Sequence, residues 1–187
     1  MDETTIALSG LAVSILVAST GWLVAYTSKR KHDSRLAQLD RVNRQLRELY
    51  GPLYIGLEAA NRTWNSFWEN YKPSHGEDYY FGPSVEVTDD EKRVWRIWLE
   101  NVFEPMNAKA EAILTNSIDL FDSDEIPDAF IDALAHIAAY RAVLAQWKES
   151  DFSEHTSVNN WPREELIAIV KPAYDELRER QRELLDT

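Results

Sequence analysis

The chain has 187 residues, 32 acidic and 20 basic, for a formal net charge of −12. It has no cysteine, which excludes a disulfide scaffold, thiolate zinc sites, iron–sulfur clusters and cysteine nucleophiles. The acidic balance argues against nucleic acid as a partner, because binding it would need a basic stripe to displace counterions. The length suits one compact domain with a short appendage.

From Thr4 to Ser28 no residue is charged. The body of this run, Ile6–Tyr26, is helical at about 1.5 Å per residue and matches a hydrocarbon core of about 30 Å. Trp22 and Tyr26 sit near its downstream end, where amphipathic rings favour the headgroup region. Lys29, Arg30, Lys31 and Arg35 follow, expected to meet anionic lipid headgroups, with Arg41, Arg44 and Arg47 behind them. The residues before the span carry only Asp2 and Glu3 as charges, so the basic flank is expected on the cytoplasmic side and the N-terminus outside. A cleaved signal peptide is the competing expectation. It wants a basic n-region and an apolar core of about 7–15 residues, and this chain reverses the charge order. Gly10, Ser14 and Ala18 recur every fourth residue, a spacing that lets two spans pack closely or that arises simply from a small-residue-rich segment.

Residues 34–50 place Leu36, Leu39, Val42, Leu46 and Leu49 on one helical stripe with arginines on the other faces. Gly51-Pro52 interrupts the pattern, which resumes through residue 71. The spacing predicts one long kinked helix or two helices meeting at that corner. Residues 72–87 read as a loop with a weak strand-like alternation at Val85–Val87, and Tyr79, Tyr80 and Phe81 in it need a surface to pack against. Thr88 and Glu91 form a capping box before a helix whose apolar face includes Trp95, Trp98, Leu99 and Phe103. Pro105 kinks or restarts that helix, which runs on to about Ser117. An acidic turn leads to a helix over 127–149, with Phe130, Ala133, Leu134, Ile137, Tyr140, Leu144 and Trp147 inward. After a polar stretch, Asn160 and Pro162 open a last helix through Leu185, with a kink expected at Pro172.

No nucleotide-binding loop, zinc-protease, serine-hydrolase or EF-hand motif occurs, and no Glu-x-x-His pair of the di-iron bundles. The carboxylates Asp119, Asp122, Asp124, Glu125 and Asp128 fit a solvated acidic turn better than a cation site. Neither metal nor cofactor is expected. His136 flanks an apolar face near Tyr140 and serves either as a pH-sensitive contact or as a half-buried, hydrogen-bonded core histidine. Asn61 and Asn65 run beside Trp64 and Trp68, and Asn101, Asn107 and Asn116 sit on the next helix. They form an interhelical network, polar surface or the lining of a small pocket.

The stretch Arg41–Tyr54, RVNRQLRELYGPLY, followed by Glu58-Ala59-Ala60-Asn61 and Trp64, resembles a group of small bacterial membrane-anchored proteins of uncharacterised function. Val102–Asn107, Asn116 and the His136–Tyr140–Trp147 helix extend the likeness. It implies a bacterial source and a recurring Tyr-Gly-Pro corner, and no reaction, cofactor or catalytic residue.

The expected architecture is all-α: a transmembrane anchor over 1–28, a basic juxtamembrane helical stalk over 29–50, and an acidic bundle of four or five kinked helices over 51–187. Residues 51–187 carry 27 acidic and 13 basic side chains, net −14. The expected function is a non-catalytic interaction or scaffold module at a bacterial inner membrane, facing the cytoplasm and holding a protein partner or a second copy. The candidates for contacts or structure are Tyr50, Gly51, Pro52 and Tyr54 at the corner, with Asn61, Trp64, Asn107, His136 and Tyr140 around the bundle. The alternative is a membrane effector whose bundle senses a ligand or partner and whose spans assemble to perturb the bilayer. An enzyme using Asn61, Asn107 and His136 is a third.

Overall fold

Proline lacks an amide hydrogen and its ring collides with the carbonyl four residues back, so Pro52 should break a helix. In the computed structural model it does not. The backbone of residues 3–72, 80–81, 86–122 and 125–186 is described, with side chains from Thr20 onward. Helix α1 (Glu3–Arg44) passes through a π-helical turn (Gln45–Tyr50) straight into α2 (Gly51–Tyr71), every junction residue keeping right-handed helical angles. The result is one rod about 100 Å long at 1.5 Å per residue.

The π turn is the accommodation. Gly51 donates its amide to the carbonyl of Leu46, five residues back instead of four. The Glu48 carbonyl, left without a donor by Pro52, accepts the Ser117 hydroxyl at 3.0 Å. A Cβ at position 51 would run into the Leu46 carbonyl oxygen, which explains the glycine. The second rod repeats the device. Helix α3 (Asp89–Trp98) enters a π segment (Leu99–Phe103), Glu104 bonds to the Leu99 carbonyl, and α4 (Glu104–Asn116) carries Pro105 at its start. Helix α6 (Arg163–Asp186) continues across Pro172. None of the three prolines ends its rod.

Thr88 caps α3 as expected, its hydroxyl accepting from the Glu91 amide while the Glu91 carboxylate accepts from the Thr88 amide. Helix α5 (Asp128–Lys148) ends where Ser150 adopts φ 63°, with Ser150 and Asp151 donating back to the Trp147 and Gln146 carbonyls. That is a Schellman closure with serine at the position usually held by glycine.

The described residues form four rods packed up-down-up-down. Along the first rod, Gln45, Glu48, Trp64 and Phe67 meet Leu120, Ser117, Phe103 and Trp98 of the second, so the two run antiparallel. Glu111 pairs with Arg141 of α5, and Asn43, Tyr54 and Asn61 meet Gln181, Tyr174 and Arg163 of α6, which closes the square. The lower core is mostly aliphatic, built on Val42, Leu49, Leu53, Leu57, Leu114, Phe130, Leu166 and Val170. The upper core is aromatic, with Phe67, Tyr80, Trp95, Tyr140 and Trp147 at its centre. Each fully buried large side chain contributes about 1.5–3 kcal/mol.

No strand occurs among the described residues. Val85 and Tyr79, parts of the loop expectation, lie outside them, while Tyr80 and Phe81 pack on Trp95. Leu36, expected on the buried stripe, is half exposed because α6 ends opposite it.

Candidate functional site

Three places hold the residues singled out above. The first is the corner. Tyr50 is buried edge-on against Phe121, and burial, with Asp122 and Glu176 adding to it, pushes its phenol above the ordinary tyrosine range. Tyr54 stacks at a tilt on Tyr174, with Lys171 6.0 Å above its ring. Beside Gly51 an open groove of about 390 Å³ runs between the first rod and α6, bordered by Asn43, Arg47, Tyr174, Arg178 and Gln181. Its polar groups are mutually satisfied: Gln181 donates to Asn43 and accepts from Arg178, and Arg47 pairs with Glu48.

Sequence periodicity missed Gln45, which is 1% exposed and donates to the Leu120 carbonyl and to Asp122, both at 2.8 Å. Gln45 lies three residues after Val42 and four before Leu49, a regular inward spacing that its polar side chain concealed in the sequence. Burial alone would raise the Asp122 carboxyl, but hydrogen bonds from Gln45 and Arg41 outweigh it and hold the group below its ordinary range. Arg44 reaches Asp119 in the same turn. The acidic turn is therefore the dock for Arg41 and Arg44 of the first rod; Asp124 lies outside the described residues.

The second place is the upper bundle. Trp64 lies against Phe67, Trp68, Trp95 and Phe103. Tyr140 belongs to the same cluster, and burial pushes its phenol up to about 12. His136 sits edge-on between Tyr140 and Trp161, and its Nδ1 donates to the Asn159 carbonyl at 2.6 Å. Burial lowers its pKa below the ordinary histidine value, against the opposing effect of that hydrogen bond. Asn61 accepts from Arg163 at the start of α6. Asn61, His136 and Tyr140 thus gather around the segment joining α5 to α6. Asn107 does not join them: it is half-buried on α4, away from these contacts. His155, in the stretch that reads as polar loop, and Trp161 and Arg163, at the expected start of the last helix, complete the arrangement and were not singled out by the sequence.

The third place is the free part of α1. Every residue from Thr20 to Ser34 is exposed. Trp22 and Tyr26 stack with centroids 5.4 Å apart. Lys29, Arg30 and Lys31 engage no partner among the described residues, whereas Arg35 donates through its guanidinium to the Leu184 carbonyl, closing the end of α6. Among the described residues no helix is long and apolar enough to cross a membrane. The expected span over 6–26 lies outside them for its side chains up to Ser19, and so do Gly10, Ser14 and Ala18.

Compared with known protein families, with curated proteins and with solved structures, the chain finds no match.

Proposed function

We propose that the chain is a single-pass, membrane-anchored interaction module whose acidic four-helix bundle stands in the cytoplasm on a helical stalk. The observation that carries this is the continuity of the first rod, which leaves the bundle near Arg35 and runs on with every residue from Thr20 to Ser34 exposed. A bare helix bearing stacked Trp22 and Tyr26 and then three unpaired cations has the layout of an interface anchor. It is joined to a sequence with no charge from Thr4 to Ser28.

The absence of cysteine makes the test clean. In bacterial cells expressing the full chain, a membrane-impermeant maleimide should label Thr4→Cys in intact cells and Val158→Cys only after lysis. The protein should also stay with membranes through alkaline extraction, and Leu16→Arg should release part of it. Recovery of the wild-type chain in the soluble fraction, or labelling of Val158→Cys from outside, overturns the proposal.

The effector alternative has one feature in its favour. Gly10, Ser14 and Ala18 share one small-residue register in the sequence, and Gly21, one turn further on, is open to close approach. Expression with an unchanged membrane potential excludes it.

A further inference from the structure

The segment joining α5 to α6, residues 149–162, has no regular structure, yet it is fastened to the bundle at points along its length. Trp147 Nε1 donates to the Glu154 carbonyl at 2.8 Å, and Trp95 Nε1 donates to the His155 carbonyl at 2.7 Å. Arg96 lies 4.4 Å over the Phe152 ring. Further along, the Tyr140 hydroxyl meets the Ser157 backbone, and His136 Nδ1 holds the Asn159 carbonyl. The two tryptophans and Tyr140 are members of the upper aromatic core, so this strap covers the edge of that core.

Two of the fastenings are imidazoles. His155 lies on the strap with its ring stacked 5.1 Å from Phe81, and its buried Nδ1 has no hydrogen-bond partner among the described residues. The charges facing it are Lys92 and Arg96 from α3 and Glu154 beside it on the strap. A proton on His155 would place a third cation near those two, with no acceptor for the buried nitrogen. His136 faces uncharged groups, namely Tyr140, Trp161, the Asn159 carbonyl and Ser157, whose hydroxyl approaches the His136 carbonyl. A proton on this partly buried ring would meet no counter-charge among the groups that face it. The cost of charging either ring falls on the closed strap and vanishes when the strap lifts.

We infer that residues 149–162 form a pH-sensitive strap, closed over the aromatic core while His136 and His155 are neutral and released when they take up protons. Burial lowers both imidazoles from their ordinary value of 6.5. The sign follows: the closed form keeps its full stability above that value and loses it as pH falls from there toward the depressed pKa values. In cells, release would bare Trp95 and Trp147 to a partner on acidification.

A nitroxide on Val158→Cys, a site 94% exposed on the strap of a chain with no other cysteine, reads this directly. The full chain in detergent micelles is titrated from about pH 7.5 to 5 across the histidine range, with helical circular dichroism followed in parallel. The mobile component of the spectrum should rise with a midpoint below 6.5 while helix content holds. His136→Gln and His155→Gln, singly and together, should diminish and then abolish that transition, whether the strap rests closed or open. An unchanged spectrum across the range overturns the inference. So does a transition that survives in the double variant, or one that coincides with loss of helix.

Discussion

Ser117→Ala tests the account of the π turn. In the native protein the Ser117 hydroxyl is the donor to the Glu48 carbonyl, 3.0 Å away, and Ser117 is buried at 6% exposure. Removing it leaves a carbonyl that Pro52 cannot serve, and an unsatisfied group of this kind costs about 1–3 kcal/mol. Pro52→Ala restores an amide four residues beyond Glu48 and offers the same carbonyl a local donor. Ser117→Ala in that background should therefore cost about 1 kcal/mol less than in the native chain, a coupling expected of two groups competing for one acceptor. Urea unfolding of the full chain in micelles, followed by tryptophan fluorescence, gives the four midpoints of the cycle. Equal costs in both backgrounds, or a native cost under about 0.5 kcal/mol, the size of an ordinary surface change, would show that the hydroxyl does not hold the turn.

Four further outcomes follow from the same geometry. Gly51→Ala drives a methyl against the Leu46 backbone oxygen and should destabilise by about 1–3 kcal/mol in the same urea series. Ser150→Gly relieves a side chain at φ 63° and should stabilise by about 1 kcal/mol, read as a higher midpoint. Arg35→Ala removes the donor to the Leu184 carbonyl, so amide exchange in the last turn of α6 should accelerate while the Leu166–Val170 region stays protected. The Asp122 carboxyl is held below its ordinary value, so its contribution is full above that value and is lost as pH falls through the depressed pKa. Asp122→Asn should flatten the acid limb of the stability profile.

The fold was legible where side-chain periodicity alone decides it. Leu166, Val170 and Leu177 on α6 and Phe130, Ile137 and Trp147 on α5 lie buried where a regular helix puts them. The capping box at Thr88 formed because both of its partners are local. What the pattern could not show was how Pro52 and Pro105 would be absorbed. A π turn depends on a donor from another rod, Ser117, sixty-nine residues away in sequence. The same nonlocality hid Gln45, whose buried amide is satisfied by Leu120 and Asp122, both distant in sequence. His136 was recognisable as a half-buried histidine, but its role needs Asn159 and Trp161, from a stretch with no period to read.

The seven basic residues between Lys29 and Arg47 divide in a way that bears on the proposed anchor. Arg41 and Arg44 face Asp122 and Asp119, Arg47 pairs with Glu48, and Arg35 closes α6, so four of the seven serve the bundle. With Trp22 and Tyr26 at a lipid interface, Lys29 to Lys31 rise about 5–8 Å above Tyr26, at 1.5 Å per residue. That is within a Debye length of about 8 Å, whereas Arg41 stands about 22 Å above it and is screened from the surface. The excess of positive charge apparent along the sequence thus reduces to one triad in reach of anionic headgroups. On the proposed anchor the net −14 of residues 51–187 lies beyond that screening distance and would be little repelled by the membrane. Arg41 and Arg44 thus tie the first rod to the acidic turn of the bundle, and on the proposed anchor the length of that rod sets the distance between bundle and membrane.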